Sequence, residues 1–398
     1  MIDRLTRGSN QSALRAHNER LVLTLLRNRG ALSKSQIAKM TGLSAQAAGV
    51  IMKHLETEGF LSRGKPRRGR VGQPSIPMSA AADAAYFFGL KIGRRVSEVA
   101  LINFMGEPVR QLSQAHFCPT PNSTVAFAEE AASSIAADLE PAARERIAGL
   151  GVATPFQLWE WAEQTGAPEE TIASWRHQDI GSRLSERFDW PIFVQNDASA
   201  ACAAELAFGH PAERNFLYFF VGSLIGGGVV LNGSLFTGSL GNAGALGSMP
   251  VSRQDGERVQ LIDIASIASL ERAMAAEDIS PSAIRDSVLH WRVPEEIMGR
   301  WIDDAGDAIA QAVLSACSVI DFETVIIEGS MPSDIRAKLT ARIDSALSSL
   351  NHRGIDLPTI REGLVGANAR VIGAASLPLF ERFLLFPQSL AATNVTAS

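Results

Sequence analysis

The chain has 398 residues, of which 46% are hydrophobic and 20% are charged. This length exceeds what one ordinary hydrophobic core accommodates and predicts two or three domains. No apolar run reaches the roughly 18 residues that a membrane span requires, and residues 1–11 lack the apolar core of a secretory signal. The composition therefore argues against a membrane protein and a secreted one. It predicts a cytoplasmic protein without a membrane partner.

Charge is distributed unevenly along the chain. Residues 1–80 contain fourteen Lys and Arg but four Asp and Glu, a net charge of +10, so the remainder carries −15 of the total of −5. A basic head on an acidic body indicates that the head alone meets a polyanion such as double-stranded DNA.

Three cysteines, Cys118, Cys202 and Cys317, lie far apart in the sequence. Their spacing matches neither a disulfide framework nor a zinc knuckle. We therefore expect three buried, reduced thiols.

The first elements of the head are three predicted helices. Residues 14–29 carry leucines near helical spacing and end at a glycine. Ser33 and Gln36 have the spacing of a capping box at the start of a second helix. After the turn at residues 41–43, Ser44 caps a third helix. The predicted inner faces are Ile37, Ala38 and Met40 in the second helix, and Val50, Ile51 and Leu55 in the third.

Two short helices joined by a tight glycine turn are typical of a helix-turn-helix, whose second helix enters the major groove of DNA. Gln46 is a candidate partner for an adenine edge, an alanine for a thymine methyl and Lys53 for phosphate. The predicted DNA contacts of this helix are Ser44, Gln46, Ala47 and Lys53. The residues predicted to be exposed beside them are Ala45, Ala48 and Gly49.

A basic segment follows Gly59, where the third helix is predicted to end. Residues 60–61 and 75–76 are candidate short strands, with cations spaced by glycine and proline between them. A basic hairpin after a recognition helix predicts a wing that reaches phosphates or the minor groove. The predicted DNA contacts of the wing are Arg67, Arg68, Arg70 and Gln73, with Arg63 and Lys65 beside them.

Each feature of the head alone has a plainer interpretation. A three-helix stretch is also found in protein-interaction modules, and a basic run is often only a solvated loop. Their order along the chain, together with the charge of the head, favours DNA binding. Because a two-fold operator is read by a two-fold protein, we expect an oligomer.

From about residue 84 the pattern changes to alternating strands and helices. Strands are predicted over residues 86–90, 96–102 and 147–153. A hairpin turn is predicted at residue 106 and a long helix over 124–139. The same alternation recurs from Phe216 and ends in a strand over 324–327. We therefore predict an α/β, ribonuclease-H-like body of two similar lobes with a cleft between them.

Three segments of the body are candidates for ligand chemistry. Asn196 and Asp197 stand between a strand and a small-residue helix, where α/β proteins place ligands, although a helix cap accounts for them equally well. The glycines of residues 221–230 suit a phosphate cradle or a tight hairpin. Residues 238–248 form a small-residue loop that either closes on a ligand or is a plain loop.

Taken together, these motifs resemble the ROK family, named for repressors, open reading frames and kinases. The resemblance covers nearly the whole chain, and only the combination of motifs is specific. The matching segments are the helix-turn-helix, Gly72–Pro74, Asn196–Ala198 leading to Glu205, the two glycine loops and residues 371–375.

The resemblance implies a winged helix-turn-helix over residues 1–80. It further implies a two-lobed, actin/hexokinase-like domain over residues 81–398 that binds an effector and forms homodimers or homotetramers. Regulators of this family resemble repressors of sugar-utilisation genes. Asp197 matches the family's catalytic base and is here expected to be vestigial, and the residues expected to bind a sugar-like effector are Asn196, Asp197 and Ser248.

Departures from the family's kinases predict a chain without catalytic activity or cofactor. The segment 91–95 lacks the Asp and Thr of the family's first phosphate loop, and Leu224 replaces a glycine of the second, so ATP binding is not expected. In the sugar loop, Ala245 and Ser248 replace a Glu and a His. Residues 252–261 contain no Cys or His in place of the zinc segment, so no zinc is expected.

The tryptophans at 159, 161 and 175 suit either a reshaped sugar pocket or, more commonly, a core or an interface. The leading hypothesis is a regulator, more specifically a repressor, of carbohydrate genes. Two alternatives stay open: an active sugar kinase with a fused DNA-binding head, and a regulator controlled by a partner protein.

Overall fold

The computed structural model describes residues 11–66, 76–155, 169–176, 178–209, 212–285 and 290–385. The head is a three-helix unit followed by a hairpin. Its elements are α1 (Gln11–Arg29), α2 (Lys34–Thr41), α3 (Ala45–Thr57), β1 (Leu61–Arg63) and β2 (Met78–Ala80).

The helix boundaries in the head follow the predicted caps. Ser33 and Gln36 form the capping box of α2, and the helix ends at Gly42, whose φ of 71° is the left-handed conformation that glycine adopts most readily. The Ser44 hydroxyl accepts a hydrogen bond from the Ala47 amide at 3.1 Å and so caps α3. These predictions are confirmed.

The two wing strands lie further along the chain than the predicted residues 60–61 and 75–76, of which residue 75 is outside the described residues. β1 begins at Leu61, and its antiparallel partner β2 begins at Met78, beyond the predicted residues 75–76. Ile76 is exposed, whereas Met78 is buried and also bridges to Leu32, so it is Met78 that closes the hairpin onto the helices. Burial of one apolar side chain therefore sets the register.

The first lobe is a five-stranded mixed sheet with helices on its face. Its strands are β3 (Tyr86–Lys91), β4 (Val96–Asn103), β5 (Pro108–Ala115), β6 (Ile147–Thr154) and β7 (Ile192–Asn196), in the order β5-β4-β3-β6-β7. Its helices are α4 (Pro121–Ala137), α5 (Pro141–Arg144), α6 (Glu169–Ala173) and α7 (Ile180–Ser185).

The second lobe repeats this topology. Its strands are β8 (Phe216–Val221), β9 (Ile225–Leu231), β10 (Ser234–Phe236), β13 (Thr324–Gly329) and β14 (Thr359–Glu362), in the order β10-β9-β8-β13-β14. In both sheets the first three strands are antiparallel and the last two run parallel to the first. This duplication confirms the predicted two-lobed, ribonuclease-H-like body.

The remaining elements join and cover the lobes. They are α8 (Asp197–Phe208), the hairpin β11 (Pro250–Ser252) and β12 (Arg258–Gln260), α9 (Leu261–Ala265), α10 (Ile267–Ala276), α11 (Ser282–Arg285), α12 (Glu295–Cys317), α13 (Ser333–Ser349) and α14 (Ala369–Phe383).

Helix α14 returns from the second lobe to pack on the sheet of the first lobe and on α8. Small residues permit this approach: a Cβ added at Gly151 would lie 1.8 Å from the Ala374 carbonyl oxygen, and one at Gly373 would lie 2.0 Å from the Ala200 oxygen. A side chain at Gly151 would push α14 away from the sheet, and one at Gly373 would push it away from α8.

The hydrophobic core of the head continues into the body. Phe60, which precedes the wing, packs against Phe104 at 5.5 Å and Phe383 at 5.4 Å between ring centroids. The Arg20 guanidinium donates to the Phe380 carbonyl at 2.8 Å, and the Leu385 amide donates to the Thr24 hydroxyl at 2.8 Å. Head and body are therefore docked through aromatic rings and through hydrogen bonds between side chains of α1 and the backbone at the end of α14.

Four predictions of side-chain burial were wrong. Met40 and Val50 are exposed although both were placed on inner faces, whereas Ala48 is fully buried although it was predicted to be exposed. Ile37, Ile51 and Leu55 are buried as predicted, and in α3 it is Ala48 and Met52, not Val50, that complete the buried face. All three thiols are free, but Cys118 is only half-buried.

Among the described helices, none is long and apolar enough to cross a membrane.

Candidate DNA interface and interlobe cleft

One face of α3 is open to solvent at the surface of the head. Gln46, Val50 and Lys53 are exposed and lie four and three residues apart, which places them on the same side of the helix. Val50 is 61% exposed, an unusual position for a β-branched apolar residue. The structure therefore adds Val50 to the face that the sequence predicted from Gln46 and Lys53.

The other predicted contacts of this helix lie at its start. Ser44 is exposed, and its hydroxyl is already engaged in capping the helix. Ala47 is half-buried beside it. The start of a helix exposes backbone amides and the positive end of the helix dipole, an arrangement that favours a phosphate.

A hydrogen-bonded ion pair links the wing to α3. The Arg63 guanidinium at the end of β1 donates to the Glu56 carboxylate, with an Nη2–Oε2 distance of 2.9 Å. This hydrogen bond lowers the pKa of Glu56 and raises that of Arg63. The pair orients the base of the wing against the helix. The other predicted contacts of the wing, Arg67, Arg68, Arg70 and Gln73, lie outside the described residues.

In the body, the strand β7 ends at the predicted pair of polar residues. The Asn196 side-chain oxygen accepts hydrogen bonds from the Ala198 amide at 3.0 Å and the Ser199 amide at 3.1 Å, so Asn196 caps α8. Its amide nitrogen is the group that remains for a ligand. The alternative of a helix cap is thus correct for this residue.

Asp197 opens α8 and carries a carboxylate that is largely buried. Its Oδ2 accepts a hydrogen bond from Arg370 Nη1 at 3.2 Å. The same guanidinium donates to the Ser330 hydroxyl at 3.2 Å and lies 4.6 Å above the Phe220 ring. A sugar hydroxyl would therefore share Asp197 with Arg370 or displace it.

No role was predicted for Arg370, although it directly precedes the matching segment 371–375. Its position in the first turn of α14 brings a cation from the end of the chain to the cleft. An added Cβ at Gly222 would lie 3.4 Å from Arg370 Nη1, so this guanidinium also lies beside the glycine loop of residues 221–230.

Lys91 occupies the position at which the family's kinases carry the Asp of their first phosphate loop. Its ammonium is buried and donates to Glu98 at 2.9 Å and to the Val96 carbonyl at 3.1 Å. Burial and the nearby Arg370 lower the pKa of Lys91 to about 8, although Glu98 opposes the shift. A buried cation at this position does not fit a magnesium-nucleotide, which requires a carboxylate to hold the metal.

A further ion pair joins the two lobes across the cleft. Arg94, in the loop after β3, donates to Glu271 on α10 at 3.0 Å, and both side chains are mostly buried. The first amides of α10 are also occupied: Ile267 donates to the Gly222 carbonyl at 2.9 Å and Ala268 to the Ser223 carbonyl at 3.1 Å. The helix start that could face a phosphate is thus bonded to the protein's own backbone.

Ser248 does not join this cluster. It ends a short 3₁₀ turn, is exposed, and donates its amide to the Ala245 carbonyl at 3.1 Å. Within the described part of the chain, no hydrogen bond links it to Asn196 or Asp197. Asn196 and Asp197 therefore stand together at the end of β7, and Ser248 is not hydrogen-bonded to this pair in the described structure.

The segment that replaces the family's zinc site is the hairpin of β11 and β12. Gln311 on α12 holds it in place, accepting from the Ser252 amide at 2.9 Å and donating to the Ser252 carbonyl at 3.0 Å. Across the described ranges of the chain, no group of three or more His, Cys, Asp and Glu side chains is arranged to hold a metal. A hairpin without Cys or His does not fit zinc.

Trp175 is buried, and its indole N–H donates to the Pro119 carbonyl at 2.9 Å. It is therefore a core residue of the first lobe, in agreement with the commoner interpretation. Residues 159 and 161 lie outside the described residues.

These features define a class: a winged helix-turn-helix head on a two-lobed, ribonuclease-H-like body whose cleft is bridged by ion pairs. The sequence model of the ROK family matches residues 87–380, and that of the MarR family matches residues 17–68. The chain belongs to the ROK family.

The relatives of this chain include a repressor and an enzyme. A xylose repressor of Caldicellulosiruptor bescii is 22% identical, covering 72% of this chain and 73% of the repressor. A protein of Sinorhizobium fredii is 25% identical over 93% of this chain and 92% of its own length. The bifunctional enzyme NanE/NanK of Brucella melitensis is 31% identical, covering 52% of this chain and 39% of the enzyme.

Among solved structures, a ROK family transcriptional regulator, a homologue of the E. coli MLC protein, has a TM-score of 0.67 and is 18% identical. The match covers 96% of this chain and 98% of the regulator. A ROK family glucokinase from Streptomyces griseus has a TM-score of 0.57, covering 74% of this chain and 99% of the kinase. The match to the regulator covers nearly the whole chain and so includes both head and body. The match to the kinase covers a smaller fraction of the chain, close to that of the body alone.

Proposed function

We propose that the protein is a transcription repressor of carbohydrate metabolism or transport genes that binds double-stranded operator DNA. The observation that carries the proposal is the winged helix-turn-helix head with a charge of +10, whose α3 presents Gln46, Val50 and Lys53 to solvent. The similarity to xylose repressors supports the carbohydrate assignment.

Different residues of the α3 face contact the bases and the phosphates of the DNA. Gln46 has the amide geometry that pairs with the N6 and N7 atoms of adenine, and Val50 contacts a thymine methyl. Lys53, one turn further on, binds phosphate. The amides at the start of α3 and the wing arginines Arg67, Arg68 and Arg70, with Gln73, add contacts to the backbone or minor groove.

The body acts as a sensor without catalysis. Asn196 and Asp197 bind the hydroxyls of a sugar-like effector, with Arg370 holding the carboxylate in place. ATP is not used, because Lys91 and the Arg94–Glu271 pair occupy the phosphate region, and zinc is not used either. Ser248 contributes only if its loop moves toward Asp197.

The repressor acts as a homodimer or a homotetramer, because a two-fold operator requires two heads in fixed relation. A sugar that binds one arrangement of the lobes better than another shifts the population of head positions and so changes operator affinity.

The experiment selects operator DNA from a random-sequence library with the full-length protein, then adds individual sugars to the complex. Sequence-specific binding that one sugar releases without ATP supports the proposal. Selection of no sequence, together with ATP-dependent phosphorylation of a sugar, would show that the protein is a kinase, as its similarity to NanE/NanK would allow.

A further inference from the structure

A second pocket lies outside the cleft, between the head and the body. Its volume is about 340 Å³, within the range of small-molecule sites. Arg27 contributes to it from the last turn of α1, and the body supplies the rest of the wall. The body residues that matter here are Met105, Phe208, Leu364, Val365 and Ile372.

Arg27 is a buried cation without an acidic partner. It is 9% exposed, and burial lowers its pKa to about 10. Its guanidinium donates to the Met105 carbonyl at 3.2 Å and the Ala207 carbonyl at 3.4 Å, and it lies 4.6 Å above the Phe208 ring. Its Nε has no hydrogen-bond partner, and no carboxylate of the described residues lies within 4 Å of it.

Charges buried in proteins are ordinarily paired, because an uncompensated one is costly. Arg94 and Arg370 in the cleft follow this rule, since each holds a carboxylate. Arg27 departs from it at the edge of a pocket. An anion bound in the pocket would supply the missing partner.

The walls of the pocket are fixed and largely apolar. The backbone amides of Leu364 and Val365 donate to the buried Glu205 carboxylate at 3.0 and 3.2 Å, which holds that loop in place. Glu107 also lines the pocket; it is exposed, and its carboxylate accepts a hydrogen bond from the Asn103 side-chain amide at 2.8 Å. The interior therefore offers one cation among apolar side chains.

We propose that this pocket binds a small monocarboxylate with a compact apolar body. The carboxylate bonds to the Arg27 guanidinium, and the apolar part packs against Phe208, Val365 and Ile372. The site is separate from the sugar cleft, so the protein takes a second ligand. Because Arg27 belongs to the head and the other walls to the body, such a ligand stabilises the docked head.

The test is isothermal titration calorimetry of the full-length protein with phenylacetate, benzoate and isovalerate, and with the uncharged phenylacetamide. Saturable binding of at least one carboxylate is expected. Arg27→Met should weaken it roughly tenfold to a hundredfold, because the hydrogen bonds to the charged group are lost. Arg29→Met, which changes an exposed arginine on the same helix, should leave binding unchanged.

Leu364→Trp provides an independent test should Arg27→Met fail to fold. Leu364 is 72% exposed at the pocket mouth, so a larger side chain there narrows the pocket without disturbing a core. It should weaken carboxylate binding while DNA binding persists. The proposal is overturned if none of the three carboxylates binds at millimolar concentration, if phenylacetamide binds as well as phenylacetate, or if wild type and both variants bind equally.

Discussion

The interlobe cleft and the head–body junction are built on opposite principles. In the cleft, the cations Lys91, Arg94 and Arg370 each bond to a carboxylate of the same chain. At the junction, the core is a set of phenylalanine rings, and the buried cation Arg27 has no such partner. The cations of the cleft are therefore neutralised by carboxylates of the same chain, whereas the cation at the junction is not.

The difference has a mechanical consequence. Ion pairs in the cleft can be exchanged for hydrogen bonds from a polar ligand at modest net cost, because the gain and the desolvation penalty nearly cancel. The aromatic junction cannot be exchanged in that way, since its stability comes from burial and packing. We therefore expect the cleft to respond to a polar ligand and the junction to transmit that response to the head.

The largest effect is expected at the junction. Phe104 is fully buried and contacts both Phe60 and Phe383. Phe104→Ala should lower the free energy of unfolding by about 3–5 kcal/mol, because it removes packed rings and leaves a cavity. Chemical denaturation measures this, with Phe236→Ala at an exposed ring as the control. Equal effects of the two substitutions would contradict a packed junction.

A smaller effect is expected from pH in the cleft. The Lys91 ammonium loses its proton near pH 8 in the folded protein but near its ordinary value of 10.5 in the unfolded chain. Between these values the unfolded chain holds more protons, so stability should rise with pH, by roughly 3 kcal/mol in all.

Lys91→Met should lack this rise. The measurement is the free energy of unfolding at pH 8 and at pH 10.5, compared between wild type and variant. Lys53→Met, at an exposed lysine, should keep the rise. The same pH dependence in wild type and Lys91→Met would show that the lysine is not buried as a cation.

Removal of the cleft carboxylate should affect effector response and spare DNA binding. Asp197→Ala should weaken the affinity for the inducing sugar roughly tenfold or more, because hydrogen bonds to a charged group are lost. Operator affinity without sugar should stay as in wild type. Asp255→Ala, an exposed carboxylate of the second lobe, is the control. An Asp197→Ala protein that responds normally to sugar would contradict the assigned role.

Substitutions on the α3 face are expected to change DNA binding by a similar or smaller amount. Gln46→Ala should cost about 1–3 kcal/mol at one base position of the selected operator and relax specificity there. Lys53→Ala should weaken binding evenly across sequences and reduce the salt dependence. Competition with single-base operator variants separates the two. Lys39→Ala, at an exposed lysine of α2, is the control, and an even loss from Gln46→Ala would contradict base readout.

Local signals predicted the head well where the chemistry is local. Ser33, Gln36 and Ser44 act as caps because capping depends on a few neighbouring residues. The phase of α3 was not predictable from the sequence alone, because Val50 and Ala48 are both apolar and their burial is decided by tertiary packing. The wing register depends likewise on the contact of Met78 with Leu32.

In the body, alternation of strands and helices predicted the duplicated fold, since each strand carries its own apolar pattern. The cleft was only half predicted. Asn196 and Asp197 stand in one short motif, whereas Arg370, which pairs with Asp197, comes from the other end of the body. Arg94 likewise pairs with Glu271 on the opposite side of the cleft. Contacts between segments so distant in sequence have no local signal, and neither does the unpaired state of Arg27.

The most direct test of the central claim is fluorescence anisotropy of the library-selected operator with the full-length protein, titrated with sugars in the absence and presence of magnesium and ATP. We predict sequence-specific binding that a sugar releases to the same extent with or without ATP. Release that requires ATP, accompanied by a phosphorylated sugar, would contradict it and show that the cleft opens to nucleotide.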